Sequence, residues 1–210
     1  MNLAEMRNIV RRDLHDEDAA NYRWTDDELN RHIARVVREF SEAIPLEQKT
    51  SLATTAGSRE LNIAALTDRV MVEAAEYPVD LYPVSYQRFA LWGDTLVILD
   101  DAIPDGSNCR LYYGKLHTLD ASTSTIPAQY EEVVAAGAAG YAALGASIYT
   151  TNRVNSGGTA VTDQFREWAE GELTRFKAEL KRLGRRQRIR VRTLYQPAQP
   201  VNSQTRDFGP

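Results

Sequence analysis

Trp24-Thr25-Asp26-Asp27-Glu28-Leu29 opens the segment around which the rest of the chain is organised. A threonine with a glutamate three residues later is a capping box. The hydroxyl accepts from the amide of Glu28, and the carboxylate reaches back to the amide of Thr25. Asp26 and Asp27 put negative charge at the positive end of the helix dipole. Leu29, Ile33, Val36, Val37 and Phe40 then recur at steps of mostly three and four. Arg31, Arg35, Arg38 and Glu39 fall mostly on the other faces. The spacing predicts an amphipathic helix over about residues 25–43, stopped by Pro45. Trp24 precedes the cap and is placed to staple onto Leu29 or a neighbouring helix. Trp24, Thr25 and Glu28 are thus a structural helix-start motif.

Upstream, Asn2 and Glu5 form a second box, and Leu3, Met6, Ile9, Val10 and Leu14 follow at helical spacing. A first helix is expected over about residues 3–14, with a polar loop from His15 to Tyr22. A loop this short implies an antiparallel or steeply crossed helix pair. Downstream of Pro45 the period changes from helix to strand. Ser51 to Thr55 and Arg59 to Ile63 flank Ala56-Gly57-Ser58 as an expected hairpin. Further strands are expected at Val70 to Tyr77, Tyr86 to Trp92, Thr95 to Leu99 and Arg110 to Leu116, with turns at Gly93-Asp94 and Pro104-Asp105-Gly106.

After a polar linker, Thr118 to Thr125, Pro127 suits the first position of a third helix reaching about residue 150. Its Gly137, Gly140 and Gly145 and its alanines imply a closely packed neighbour. Thr162-Asp163 is the expected cap of a fourth helix with Phe165, Trp168, Ala169, Leu173, Phe176 and Leu180 as its stripe. Gly184 is its candidate C-cap. Arg188-Ile189-Arg190-Val191-Arg192 alternates basic and apolar residues, which suits an extended strand. Pro197, Pro200 and Gly209 make the remainder irregular. The fold class is therefore α+β. A helical bundle of about four helices spans residues 1–45 and 120–184, an antiparallel β insertion spans 46–119, and an extended basic C-terminal tail spans 185–210.

The chain has 210 residues, 43% hydrophobic and 26% charged, which is the profile of a globular protein. The first residues form no apolar run, so a signal peptide is not expected. Cys109 is the only cysteine, so an intramolecular disulfide is excluded, and synthesis in the cytoplasm is the expectation. The uncharged run Val133 to Asn152 has the length of a membrane span but is mostly Ala, Gly, Tyr, Ser and Thr. Its transfer free energy is too poor for insertion, and a close-packed bundle helix is expected. Net charge is −4, yet Arg175 to Arg192 holds nine basic residues against Glu179 alone. That segment carries +8 and the remainder −12, the pattern of a basic interaction tail on an acidic body.

Chemical motifs are missing. His15, His32 and His117 have no metal-ligand spacing, and there is no cysteine pair. Gly140 to Ser147 mimics a phosphate loop, but Ala146 stands where the lysine is needed and no strand precedes it. Asp26-Asp27 and Asp100-Asp101 are explained by a helix cap and a turn. No nucleophile elbow is present. Catalytic residues, metal ligands and cofactors are all expected to be none. The basic tail fits phosphate binding. It fits better the docking of Ile189, Val191, Leu194 and Tyr195 into a protein groove, with Arg186, Arg188, Arg190 and Arg192 meeting acidic groups.

The chain resembles the head-to-tail adaptor (connector) proteins of tailed bacteriophages. The likeness rests on Leu3-Ala4-Glu5-Met6-Arg7, Leu14, the Trp24 to Leu29 stretch and Ala34 to Phe40. Phe89-x-x-Trp92-Gly93-Asp94-Thr95-Leu96, Leu111-Tyr112-Tyr113 and Leu116-His117-Thr118-Leu119 resemble adaptors that carry a β insertion, and the similarity runs to about residue 183. It implies a structural virion protein at the head-tail junction. It also implies a ring, usually a dodecamer, under the portal protein, with a C-terminal extension on the portal. The next neck or tail protein would lie on the other side, and DNA would pass through the channel. No membrane partner is implied. The alternatives are another neck component, such as a stopper or tail-completion protein, or a nucleic-acid-binding protein with a basic C-terminal arm.

Overall fold

The computed structural model describes residues 1–100, 103–151 and 159–194; for 148–151, 159–162 and 187–194 it describes the backbone alone. Chain contacts divide it into two compact units: Met1–Leu46 with Lys115–Arg185, and a second that contains Glu47–Gly114.

The first unit is helical. Helix α1, Leu3–Asp13, starts at the Asn2 box, where the amide of Glu5 donates to Asn2 Oδ1 at 2.9 Å and the Asn2 amide donates to Glu5 Oε2 at 2.8 Å. Helix α2, Asp26–Ala43, starts at the Thr25 box with reciprocal bonds of 3.2 and 2.8 Å. Each cap satisfies amides that the helix itself leaves open, at a gain of about 1 kcal/mol. A single 3₁₀ turn, Ala128–Tyr130, follows Pro127, so α3 begins at Glu131 and ends at Thr151. Proline initiates a turn rather than the α-helix itself.

Helix α4 spans Thr159–Leu194. Three expectations change here. Thr162-Asp163 lies inside the helix and is not its cap. Gly184 does not end it. Its missing side chain instead admits the backbone of Ala43 in α2, whose oxygen would lie 3.4 Å from an added Cβ. The backbone from Arg185 to Leu194 is helical, so Arg188 to Arg192 is not an extended strand. Lysine, arginine, glutamine and leucine are strong helix formers, and cations are favoured near a helix C-terminus. Those terms outweigh both the one glycine and the alternating pattern. Tyr195 and the rest of the tail fall outside the described residues.

One core serves the bundle. Met6 and Val10 of α1, Leu29, Ile33, Val36 and Phe40 of α2, Val134, Ala138 and Ala142 of α3, and Leu173 and Phe176 of α4 are all buried in it. Gly137 and Gly140 permit the close approach of α4. A Cβ at Gly137 would meet the Phe176 ring at 2.9 Å, and one at Gly140 would meet Leu173 Cγ at 3.0 Å.

The second unit is two sheets over a shared core. The strands are β1 Leu46–Ala53, β2 Glu60–Asn62, β3 Arg69–Glu76, β4 Tyr86–Gln87, β5 Phe89–Trp92, β6 Thr95–Ile98 and β7 Asn108–Lys115. One sheet has the order β1-β7-β3-β4 and the other β2-β6-β5. Pairings β2·β6, β5·β6 and β3·β4 are antiparallel. The expected hairpin across Ala56-Gly57-Ser58 does not form, because β1 and β2 enter different sheets. The Gly57 amide is instead held by Pro104 O at 2.8 Å. The turn Gly93-Asp94 does join β5 to β6, with Trp92 opposite Thr95 and Gly93 at φ 56°. Leu61, Ile63, Leu96, Ile98, Cys109 and Leu111 fill the core between the sheets.

Candidate functional site

The helix-start motif is structural in the folded chain as well. Trp24 is buried, and its indole Nε1 donates to the carbonyl of Ala142 in α3 at 3.3 Å. The tryptophan thus ties the start of α2 to α3. Beneath it lies a polar group the apolar pattern does not reveal. The Arg11 guanidinium donates to Asp16 at 2.5 Å, to the Trp24 carbonyl at 3.0 Å and to Asp26 at 2.9 Å. Asp16 also accepts from the amide of Arg23 at 2.7 Å. Arg7 pairs with Asp26 as well. Sequence spacing gives no hint that Arg11, next to the stripe of Met6 and Val10, is buried.

On α2 the Glu39 carboxylate accepts from Tyr141 of α3 at 2.9 Å and from Arg35 at 3.1 Å, and the Arg35 guanidinium lies 3.8 Å from the Tyr141 ring centre. His117 is buried, with Nε2 3.0 Å from the carbonyl of Ile44 and Nδ1 3.0 Å from that of Thr125. Burial pushes its pKa below the usual value, against the two carbonyls, which raise it. These groups lock backbone segments of the bundle together.

Two titratable groups buried in the second unit are Cys109 and Glu76. Burial pushes the Cys109 thiol up to about 11, so it is not a nucleophile near neutral pH. Glu76 is buried but fully engaged, accepting from Tyr112 at 2.8 Å and from the Asp80 amide at 2.9 Å, with Arg110 at 3.3 Å. Among the described residues there is no group of three or more His, Cys, Asp or Glu that could hold a metal ion. Among them, too, no helix is long and apolar enough to cross a membrane.

What remains is surface. Arg185 and Arg186 are exposed on α4, and Arg182 is paired with Glu179 at 2.5 Å. Arg188, Ile189, Arg190, Val191, Arg192 and Leu194 follow on the same helical backbone. Strand periodicity, which divided them into a basic and an apolar face, does not apply to it. In the second unit Tyr82 is 99% and Trp92 75% exposed, large apolar surfaces open to solvent.

No curated protein matches the chain. The sequence model of the SU10 adaptor protein family, by contrast, matches residues 1–201, nearly the whole chain. The chain belongs to the SU10 adaptor protein family, a family of phage head-to-tail adaptors, and is a structural protein of the virion.

Proposed function

We propose that the chain forms a ring between the portal and the tail of a tailed phage, enclosing the DNA channel, and that its basic C-terminal segment docks on the portal. The observation that carries this is the placement of the charge. The +8 segment is the end of α4, continuous in backbone with the helix that contributes Leu173 and Phe176 to the bundle core. A rigid helix presents its charges at lower entropic cost than a loop does. Arg186, Arg188, Arg190 and Arg192 meet acidic portal groups, and Ile189, Val191, Leu194 and Tyr195 supply apolar contact. The next neck or tail protein binds the opposite side of the ring. The protein is made in the host cytoplasm and acts at the head-tail junction.

Deleting residues 185–210 removes five of the nine basic residues of that segment and leaves in place Leu183, the last buried residue of α4 among those whose side chains are described. The truncated chain is expected to keep its helical circular dichroism and to be missing from particles produced in infected cells. Normal incorporation overturns the docking role. A chain whose tail contacts only DNA would show binding that weakens steeply with salt and needs no portal.

A further inference from the structure

Two surfaces of the bundle carry charged side chains that have no ion pair among the described residues, acidic on one surface and basic on the other. The first is a groove of about 500 Å³ between α1, α3 and α4. Its floor is Ala135, Ala136 and Ala139, and its rim carries Asp13, Glu132 and Glu172 against the single cation Arg12. Glu172 is paired with Arg175 at 2.7 Å, whereas Asp13 and Glu132 have no ion pair among the described residues. Burial, and then Glu172 and Glu132 beside it, raise the Asp13 carboxyl above its ordinary pKa, against Arg12. Trp168, also in the lining, is 39% exposed and offers a ring face to a guanidinium.

The second surface is the outer face of α2. Arg31, Arg35 and Arg38 stand at i, i+4 and i+7, on one stripe about 10 Å long, with exposed Ala34 among them. Glu28 and Glu42 bound it. Arg35 is tied to Glu39, but Arg31 and Arg38 have no ion pair among the described residues. Beside the stripe a second groove, of about 320 Å³, exposes apolar lining from Leu3, Leu116 and Leu119.

We infer that the α2 stripe of one copy docks into the α1–α3–α4 groove of the next copy, and that this contact is the lateral interface of the ring. It rests on the ring reading above and names its faces. The groove and the stripe share no residue, so the contact is heterologous, the kind that closes into a ring or runs on as a filament. Small residues on both sides, Ala34 and the alanine floor, let the two helix surfaces approach closely, while Arg31 and Arg38 reach Asp13, Glu132 and Trp168. The C-terminal arginines are a poorer occupant. They cluster around a helix end without a small-residue face, and Arg182 is already paired.

Sedimentation velocity of the full chain over a concentration and salt series tests this. The wild-type chain is expected to self-associate, more weakly as salt rises. Arg31→Glu with Arg38→Glu, and separately Asp13→Arg with Glu132→Arg, should each weaken association at least tenfold. A chain carrying all four changes should regain it, which separates lost contact from misfolding. Association unchanged by the reversals, or not regained by the fourfold variant, overturns these faces and leaves the ring standing. Loss through Arg185→Glu with Arg186→Glu instead also overturns it, in favour of the C-terminal segment as occupant. A wild-type chain that stays monomeric throughout overturns both the faces and the ring.

Discussion

Arg11 and Asp16 form an ion pair at 2.5 Å in which both side chains are 5% exposed. The pair closes the α1–α2 connection, since Asp16 also holds the Arg23 amide and Arg11 the Trp24 carbonyl. Losing Asp16 takes away the buried carboxylate and leaves the buried Arg11 guanidinium only Asp26, whose side chain is 56% exposed. Asp16→Ala should therefore cost about 3 kcal/mol, more than a surface pair ever does. Replacing both partners with apolar residues should cost less than Asp16→Ala alone. Urea denaturation of the two variants checks the order, and equal losses would remove the claim that the pair is coupled.

Thr25→Ala should cost about 1 kcal/mol, because it removes the hydroxyl that accepts from the Glu28 amide at 3.2 Å and donates to the Glu28 carboxylate at 3.0 Å. Trp24→Phe keeps the ring in the core but strips the Ala142 carbonyl of its indole partner, at a cost of about 1 kcal/mol. Thermal melts of both read the effect directly. An unshifted midpoint for Thr25→Ala would mean that the cap contributes nothing.

Much of this was legible in the sequence because it is local. Both capping boxes, the α2 stripe and the Gly93-Asp94 turn depend on residues within a few positions of one another, and all form as read. The errors are non-local. Nothing near Ala56 shows that β1 and β2 belong to different sheets, since their partners β7 and β6 lie far along the chain. Gly184 carries the signature of a helix end, yet its smallness serves contact with Ala43, 141 positions earlier. The strand-like alternation at Arg188 yields to helix propensity. The charge of the candidate site was visible, but the helix that bears it was not. The burial of Arg11 and the acidic groove exist only once α1, α3 and α4 are packed.

Three glycines give a prediction of opposite signs. Gly171→Ala, on an exposed stretch of α4 with no atom within 4 Å of the new Cβ, should stabilise by roughly 1 kcal/mol through helix propensity. Gly137→Ala and Gly140→Ala gain the same propensity but press on Phe176 and Leu173. Overpacking of about 1–3 kcal/mol should leave both less stable than wild type. If all three stabilise, α3 and α4 do not approach as closely as described.

Acid should act in two separate windows. Burial lowers the pKa of His117 and His32 in the folded chain, with Arg31 and Arg35 adding to the effect on His32. Below about 6.5 the unfolded chain therefore takes up protons that the folded chain resists, so stability falls as pH drops from there toward the lowered folded values. Asp105 and Asp120 are held down to about 2, chiefly by the backbone amide of Ser107 and by those of Ser122 and Thr123. Their contribution is present above the ordinary aspartate pKa and is lost as pH falls from there through about 2. His32→Gln with His117→Gln should flatten the upper window and leave the lower one intact in a series of denaturation midpoints. A double variant with an unchanged profile would remove both histidines from the account.

Co-sedimentation of the purified chain with purified portal rings, with and without residues 185–210, tests the central claim most directly. The full chain is predicted to pellet with the rings at low salt and to dissociate progressively as salt rises. The truncated chain, folded by circular dichroism, is predicted to stay in the supernatant. A truncated chain that pellets with the portal as fully as the intact one would contradict the assignment of the basic helix end as the docking element.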